Sequence, residues 1–309
     1  MRIIFMGTPD FSVPTLEALV ASGHEVVAVV TQPDKPKGRG KEIHMSPVKE
    51  CALQHNIPVY QPVRARDEAF VEEMRALNPD AMVVIAFGQI LPKSLLDLPK
   101  YGCVNIHASL LPKYRGAAPI QWAVINGDKE TGITTMMMDV EMDTGDMLEK
   151  TVVKLNPDET GGSLFDRLSL LGGSLILSTL GKLEKGEITP QPQDHEKATY
   201  VKKISKSMGD IDWTMDAEAI ERLIRGLNPW PSAYTRWNGK TLKIWKAQAL
   251  SEEHEGVCGE VVHTGKDSIL VKTGKGTLAL KELQPEGKKR MDTASFLRGF
   301  QMEDGSFCG

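Results

Sequence analysis

The chain of 309 residues exceeds the usual size of a single hydrophobic core, which predicts two domains. Its 41% hydrophobic and 25% charged residues are typical of a soluble globular protein, and no run approaches the ~18 apolar residues of a membrane helix. The net charge of −4 argues against general affinity for nucleic acid, and the short apolar N-terminal run argues against a secretory signal. We therefore expect a cytoplasmic protein without membrane contacts.

Short apolar runs rich in β-branched residues alternate with helical patterns in the first half of the chain. The runs are residues 2–6, 25–31, 81–87 and 102–107. This alternation predicts a doubly wound, Rossmann-like α/β domain with a parallel sheet covered on both faces. A further helical pattern at 160–183, with Thr160 as its N-cap, would close the domain.

The composition changes after residue 185. A polar, proline-containing segment follows, and the pattern indicates a domain at 1–189, a linker at 190–206 and a second domain at 207–309. The second domain begins with an amphipathic helix at about 215–226. It then continues as short strand-like runs between turns, which predicts a small β barrel or sandwich.

Several common motifs are absent from the sequence. Pro9 replaces the second glycine of a dinucleotide-binding loop, and neither a P-loop, a zinc-protease motif nor a nucleophile elbow occurs. The four cysteines form no C-x-x-C pair, so we expect free thiols. The acidic run at 139–146 lacks the glycine and the final glutamate of a calcium loop, and we therefore expect no metal site.

Two polar residues, Asn105 and His107, alternate with apolar ones at the end of a predicted parallel strand. They should share one face, at the edge where open α/β sheets bind ligands. An amide donor beside an imidazole can stabilise an oxyanion and move a proton during acyl transfer. An isolated N-x-H sequence more often only completes hydrogen bonds at a strand end. The four acids within 139–146 also leave open which carboxylate would assist His107.

The same segment resembles the signature of folate-dependent formyltransferases, with N-I-H-A-S-L-L-P beginning at Asn105 and D-T-G-D following 38 residues after it. The resemblance implies that Asn105, His107 and Asp143 are catalytic, and that the formyl donor is 10-formyltetrahydrofolate with no metal. It also implies two segments around the folate: Ser109, Leu110, Leu111 and Pro112, and Phe87, Gly88, Gln89 and Ile90.

A basic stretch contains Lys35, Lys37, Arg39 and Lys41 with no acid between them. Two prolines and two glycines predict that residues 32–41 form a loop rather than a helix or strand. Such a charge run is usually only a solvated loop. In two-domain formyltransferases that act on initiator Met-tRNA, however, a similar loop enters the acceptor stem. The resemblance therefore implies that the four cations bind tRNA and that the C-terminal domain is an OB-like tRNA-binding barrel.

This wider resemblance extends over essentially the whole chain, through G-T-P-D-F at 7–11 and G-L-N-P-W-P-S-A-Y-T at 226–235. On this basis we predict that the amine of methionine attacks the formyl carbon. Asn105 and His107 would hold the oxyanion, while Asp143 would orient and charge His107 and help to remove the amine proton. The default expectation is a monomer.

Other acceptors and functions are possible within the same reasoning. A relative that formylates glycinamide ribonucleotide would be a single domain without the basic loop. An enzyme that formylates an amino-sugar nucleotide would need a sugar-nucleotide pocket in place of that loop. A folate-binding or RNA-binding module without catalysis would not need Asn105, His107 and Asp143 together.

Overall fold

The computed structural model describes residues 1–37 and 42–309. Its contacts divide the chain into two compact units. The first contains Met1–Pro119, Glu130–Lys154 and Phe165–Val201, and the second contains Ile120–Lys129, Leu155–Leu164 and Lys202–Gly309. The division at residues 189 and 206 stays a prediction, and residues 190–201 of the expected linker belong to the first unit by their contacts.

The strands, in chain order, are β1 (Arg2–Gly7), β2 (Glu25–Val30), β3 (Lys35–Lys37), β4 (Glu42–His44), β5 (Val59–Tyr60), β6 (Ala81–Ile85), β7 (Cys103–His107), β8 (Arg115–Gly116), β9 (Glu130–Met137), β10 (Met147–Lys154), β11 (Tyr200–Val201), β12 (Ala233–Trp237), β13 (Lys240–Leu250), β14 (Val261–Thr264), β15 (Ile269–Lys272), β16 (Thr277–Pro285) and β17 (Met291–Asp292). The α-helices are α1 (Val13–Ala21), α2 (Pro47–Gln54), α3 (Glu68–Ala76), α4 (Lys93–Leu96), α5 (Pro119–Ile125), α6 (Gly161–Lys185), α7 (Ala217–Gly226) and α8 (Thr293–Gly299). Short 3₁₀ turns lie at Asp10–Ser12, His195–Lys197 and Lys206–Gly209.

The main sheet of the first unit has the strand order β10-β9-β7-β6-β1-β2-β5. Strands β1, β2, β5, β6 and β7 are parallel, which confirms the parallel sheet. Strands β9 and β10 add an antiparallel edge that the apolar runs did not predict. The chain proceeds from β1 to β2 and β5 on one side, and then to β6 and β7 on the other. The carboxyl ends of β1 and β6 therefore flank a topological switch point, where such sheets bind ligands.

The central strands are apolar on both faces because helices cover both faces. One buried cluster joins Ile4 and Met6 of β1 to Phe70 and Met74 of α3. On the opposite face, Gly172 of α6 lies so close to α1 that an added Cβ would stand 2.5 Å from the Thr15 hydroxyl. The residue types of the runs thus follow from their burial.

Helix α6 follows the predicted 160–183 segment closely. Its N-cap is Thr160, whose hydroxyl accepts a 3.0 Å hydrogen bond from the Ser163 backbone amide. Within the described residues, α6 is the one helix long and apolar enough to cross a membrane by length and composition. Half of its most apolar window is buried in the structure, as in the core helix of a globular fold.

The structure corrects the prediction that residues 32–41 contain no strand. Strand β3 pairs with β4 in an antiparallel hairpin, with Lys35 opposite His44 and Pro36 opposite Ile43. A two-stranded ribbon tolerates Pro36 because a proline without an N–H is acceptable where a strand has one free edge. Arg39 and Lys41 lie outside the described residues, which resume at Glu42.

The second unit is built largely from antiparallel strands. Their order is β12-β13-β16-β15-β14, with β17 beside β16. Helix α7 packs Ile220 and Ile224 into the buried cluster of this sheet, and α8 contributes Phe296, which also contacts the ring of Trp237. A C-terminal β domain is therefore confirmed. Among the described residues the strand path ends at β12 and β14 without closing, so the OB-like barrel stays a prediction.

Candidate active site

The end of β7 presents two polar side chains at the carboxyl edge of the main sheet. Asn105 is half-buried, and its backbone lies between Val84 of β6 and Met136 of β9. His107, two residues further on the same face, is 7% exposed. Within the part of the chain that the structure describes, the Asn105 amide has no hydrogen-bond partner, so its donors and acceptor are available to a ligand.

Both ring nitrogens of His107 face protein acceptors. Nε2 donates to the Tyr114 carbonyl over 2.8 Å, and since a carbonyl can only accept, Nε2 carries a proton. Nδ1 lies 3.6 Å from Oδ1 of Asp143, longer than a direct hydrogen bond. Neutral His107 therefore directs a lone pair towards the carboxylate, and protonated His107 would be stabilised by both acceptors.

Asp143 reaches the site from an irregular turn, residues 138–146, which we call the Asp143 turn. Its side chain is largely buried, and its other carboxylate oxygen, Oδ2, accepts a 2.7 Å hydrogen bond from the Gly116 amide. Asp143 has a φ of +57°, a left-handed conformation that aspartate tolerates better than most residues. Gly116 itself has a φ of +101°, and an added Cβ would stand 2.7 Å from the Val201 carbonyl oxygen.

The main chain of the Asp143 turn is held by residues distant in sequence. The side-chain amide of Gln193 donates to the carbonyls of Asp143 and Gly145, each over 2.8 Å. The Gln193 amide oxygen accepts from Arg115, which is 1% exposed. Gln193 and Arg115 were missed by the sequence analysis because neither belongs to the motif. Two polar residues that pair across 78 positions give no local signal.

The predicted folate wall at Ser109–Pro112 lies directly after β7 and is fixed by two side chains of the antiparallel edge. The buried Thr134 hydroxyl donates to the Ser109 carbonyl over 2.6 Å and accepts from the Leu111 amide over 3.2 Å. Lys150 donates to the Leu111 carbonyl over 2.6 Å, and burial lowers the pKa of its amine. The Ser109 hydroxyl is itself engaged by the Lys113 carbonyl, while Leu110 and Pro112 are half-buried.

The second predicted folate segment, Phe87–Ile90, follows β6 at the switch point. Phe87 is buried, whereas Gly88 and Ile90 are exposed. The Phe87 carbonyl accepts from the hydroxyl of Thr8, after β1, and from the side-chain amide of Gln32, after β2. These bonds tie three strand ends together into one crevice wall.

Gln89 does not point into open space. Its amide accepts from the Ala65 backbone N–H over 2.7 Å and donates to the Pro62 carbonyl over 3.1 Å. The residue before this segment, Ala86, has a φ of +48°, a conformation that L residues rarely adopt. Such strain at a strand end is typical of functional sites. Gln89 therefore shapes the crevice by holding its neighbouring loop.

The basic hairpin is anchored at its base by a closed triangle of side chains. Lys49 donates to Asp34 over 2.6 Å and to Gln61 over 2.8 Å, and Gln61 donates to Asp34 over 2.8 Å. The hydrogen bond from Lys49, followed by that from Gln61, lowers the pKa of the Asp34 carboxyl. Lys35, the first cation of the stretch, is exposed.

The second unit carries an aromatic ring with two cations close to it. Lys243 lies over the Trp245 ring at 5.7 Å from its centroid, and the Arg290 guanidinium lies at 5.1 Å. The indole N–H donates to Gln284 over 2.9 Å. Arg290 also pairs with Glu282, so the positive charge of this face is partly neutralised within the protein.

Two family models match the chain, Formyl transferase over residues 1–180 and Formyl transferase, C-terminal domain, over residues 203–301. The chain therefore belongs to the formyl transferase family, which confirms the family predicted from the motifs. It is 62% identical to the methionyl-tRNA formyltransferase of Agathobacter rectalis over 309 residues, 99% of both chains. It is 57% identical to the methionyl-tRNA formyltransferase of Lachnospira eligens over the full length of both.

A solved structure resembles the fold at much lower identity. WlaRD, a sugar 3N-formyl transferase in the presence of dTDP and 5-N-formyl-THF, has a TM-score of 0.67 and 18% identity. The likeness covers 94% of this chain and 99% of that one. At this identity the likeness shows the shared fold alone.

Proposed function

We propose that the protein transfers the formyl group of 10-formyltetrahydrofolate to the amino group of methionine on initiator Met-tRNA, giving formylmethionyl-tRNA for translation initiation. The observation that carries the proposal is the arrangement at the end of β7. There the Asn105 amide, which has no hydrogen-bond partner in the described part of the chain, shares a face with His107, and His107 faces Asp143. The full-length relatives at 62% and 57% identity support the same acceptor.

The chemistry assigns a role to each of these groups. Attack of an amine on a formyl carbon places negative charge on the formyl oxygen, and the amine must lose a proton. Asn105 would donate to that oxygen, because its amide has no partner among the described residues. Nδ1 of His107 would receive the proton, through water, and Asp143 and the Tyr114 carbonyl would stabilise the resulting imidazolium. The formyl C=O then re-forms as the N–C bond to the folate breaks, and the folate nitrogen takes up, through water, the proton that His107 received, which returns the imidazole to its neutral form.

This assignment differs from the role that the motif implied for His107. An imidazole that donates Nε2–H to Tyr114 has no second proton for an oxyanion unless it is charged. We therefore give the oxyanion to Asn105 and the proton to the His107–Asp143 pair. The pair then resembles other histidine–carboxylate pairs, in which the carboxylate orients the ring and stabilises its charged form.

For the folate we propose the crevice between the segments after β6 and β7. Phe87, Gly88, Gln89 and Ile90 would form one side of it. Ser109, Leu110, Leu111 and Pro112 would form the other. The Ser109 hydroxyl is already satisfied within the protein, so we expect this side to contact the folate through backbone groups and the apolar parts of Leu110 and Pro112.

For the tRNA we propose contacts from Lys35, Lys37, Arg39 and Lys41 at the acceptor stem, with Arg39 and Lys41 outside the described residues. The second unit would add an OB-like RNA-binding face, to which Trp245 would contribute an aromatic ring and the nearby Lys243 and Arg290 positive charge. We also propose that the protein acts as a cytoplasmic monomer without membrane contacts.

The test is a formylation assay with three acceptors offered separately. The protein is mixed with 10-formyltetrahydrofolate and initiator Met-tRNA, elongator Met-tRNA or a dTDP-amino sugar, and formylated product is measured. We expect formylmethionyl-tRNA with the initiator tRNA at a rate far above the other two. Formylation of the sugar nucleotide alone would favour the rival acceptor, and folate binding without product in any arm would favour a binding module.

A further inference from the structure

We propose that Gln193 is a positioning residue for the formyl transfer, and that Arg115 fixes the orientation in which it acts. Gln193 would hold the main chain of the Asp143 turn so that the carboxylate of Asp143 faces Nδ1 of His107. The kinetic test of this inference rests on the proposed function. The structural test depends only on the geometry of the first unit.

The first observation is that one side chain bridges two carbonyls of the turn. Nε2 of Gln193 donates to the carbonyl oxygens of Asp143 and Gly145, each over 2.8 Å. Gln193 is 4% exposed although it lies in a segment whose neighbours Pro192 and Asp194 are exposed. A buried amide that uses both N–H donors on one turn fixes the main chain on both sides of residue 144.

The second observation is that the orientation of this amide is fixed by Arg115. The Gln193 amide oxygen accepts from Nε of Arg115 over 3.0 Å and from Nη2 over 2.7 Å. A guanidinium offers donors only, so the oxygen of Gln193 must face Arg115 and its NH2 group must face the turn. The two hydrogen bonds to this one oxygen therefore fix the orientation of the amide.

The third observation is that the Arg115 guanidinium is buried, which costs desolvation free energy. Arg115 is almost completely buried, and no carboxylate of the described residues lies within ion-pair distance of it. Besides Gln193, its partners are the Tyr200 hydroxyl at 3.0 Å and Nδ1 of His195 at 3.3 Å, neither of which supplies a carboxylate. A buried cation without a carboxylate partner carries a large desolvation cost, and fold stability alone does not call for it.

The fourth observation is that the two-stranded ribbon of β8 and β11, which contains Arg115, holds Asp143 at a second point. Strand β8 pairs with β11, with Arg115 opposite Tyr200 and Gly116 opposite Val201. The Gly116 amide donates to Oδ2 of Asp143, which leaves Oδ1 to face His107. Asp143 is thus fixed through its carboxylate by Gly116 and through its main chain by Gln193. Its left-handed φ of +57° is held by these contacts rather than by a regular element.

The kinetic test compares Gln193→Met with Gln191→Met. Methionine matches the length of glutamine but removes both donors, whereas Gln191 is exposed and pairs with Met147 only through its backbone. We expect Gln193→Met to lower kcat by about 10- to 100-fold, as for a misplaced catalytic group, with changes of less than about 3-fold in either KM. Gln191→Met should behave like the wild-type protein.

A second variant guards against loss of folding. Gln193→Glu keeps a partner for Arg115, and so keeps the buried contact, but replaces the NH2 donors with an oxygen that faces two carbonyl oxygens. It should fold and show the same loss of kcat. Wild-type kcat in a folded Gln193→Met or Gln193→Glu variant would overturn the proposal.

A double-mutant cycle shows whether Gln193 acts through Asp143. In an Asp143→Asn background, Gln193→Met should have less than about 3-fold further effect on kcat, because the group that it positions is already disabled. A full additional loss in that background would contradict a positioning role and would indicate a general structural one.

A structural readout separates this inference from the proposed function. The nitrogen chemical shifts of the His107 ring, measured by NMR at fixed pH, should change in Gln193→Met in the same direction as in Asp143→Asn, and should not change in Gln191→Met. This holds whichever acceptor the enzyme uses. Unchanged shifts in Gln193→Met would refute the positioning role, whereas absence of formylmethionyl-tRNA with wild-type protein would refute only the proposed acceptor.

Discussion

The candidate site combines two regions that hold their functional groups by different means. At the end of β7, the main chain of Asn105 and His107 is fixed by hydrogen-bonded strands on both sides, β6 and β9. The Asp143 turn has no such ladder around residue 143, and contacts from Gly116 and Gln193 hold it instead. A side chain on the strand can be changed without moving its neighbours. The turn, in contrast, can lose its geometry through substitutions that leave Asp143 itself in place.

The largest effect should come from the functional group of the turn. Asp143→Asn keeps an acceptor for the Gly116 amide and a residue type that tolerates a left-handed φ, but removes the negative charge opposite His107. A histidine–carboxylate pair in which asparagine replaces the aspartate loses about 10⁴-fold in rate. Single-turnover formylation should fall by that factor with the melting temperature unchanged. A rate within 10-fold of wild type would remove Asp143 from the mechanism.

A substitution on strand β7 should lower the rate less than Asp143→Asn does, and should leave the rest of the site unchanged. Asn105→Ala removes a donor that has no protein partner among the described residues, so neither folding nor the His107–Asp143 pair should change. Loss of one oxyanion donor costs about 10²–10³-fold in kcat. The formylation assay should show that loss, and urea denaturation should give the unfolding free energy of the wild-type protein. If turnover stays near wild type, Asn105 does not hold the oxyanion.

The rate should also fall when a substitution in the Asp143 turn removes no functional group. A Cβ added to Gly145 would stand 1.7 Å from the Met137 carbonyl oxygen, so Gly145→Ala must move the backbone two residues from Asp143. A displacement of this kind can cost up to about 100-fold in rate. Gly181→Ala is the matched control, because an added Cβ there meets nothing within 4 Å. Equal kcat values for the two variants would show that the turn tolerates movement.

An intermediate case is the Ser109–Pro112 segment, a loop held by a strand residue. Thr134→Val should leave the Ser109 carbonyl and the Leu111 amide without their buried partner, which costs about 1–3 kcal/mol of unfolding free energy. The KM for the folate should rise while kcat falls less than in the preceding variants. Thr131→Val, on the same strand, removes a hydroxyl that makes no side-chain hydrogen bond in the described structure. A similar loss in both variants would argue against a specific role for Thr134.

The same contrast explains what could be predicted from the sequence. The alternation within residues 103–107 was sufficient to place Asn105 and His107 on one face, because a strand repeats every two residues. No local pattern selects Asp143 from the other acids of its turn. Its partners Gly116 and Gln193 lie 27 and 50 residues away, and only the family resemblance singled it out.

The antiparallel edge of the main sheet and the β3–β4 hairpin were not predicted, for a related reason. The edge strand β10 alternates between half-buried and exposed residues, and its hydrophobic signal is therefore weak. The β3–β4 hairpin has only three residues in each strand, including Pro36, and its pairing cannot be inferred from propensity. Buried parallel strands and long amphipathic helices, in contrast, carry the strong periodic signals that located β1, β6, α6 and α7.

The smallest effect concerns Asp34, another loop carboxylate held by distant side chains. Its folded-state pKa is lowered by Lys49 and Gln61, so the carboxylate stabilises the fold above its unfolded pKa of about 4 and loses that contribution as the pH falls further. Asp34→Asn should therefore reduce the unfolding free energy by about 0.5–1 kcal/mol at pH 7, and the difference should shrink at pH 3.

Urea denaturation of both proteins at the two pH values measures this difference. Asp97→Asn is the control, since its pair with Lys93 is exposed and should contribute little at either pH. If the unfolding free energies of Asp34→Asn and wild type differ by the same amount at pH 7 and pH 3, the Asp34–Lys49 ion pair does not stabilise the fold. Because Asp34 immediately precedes the basic hairpin, the variant should also raise the KM for tRNA more than the KM for folate. Equal changes in both KM values would show that the Asp34–Lys49 ion pair affects the whole first unit rather than the hairpin.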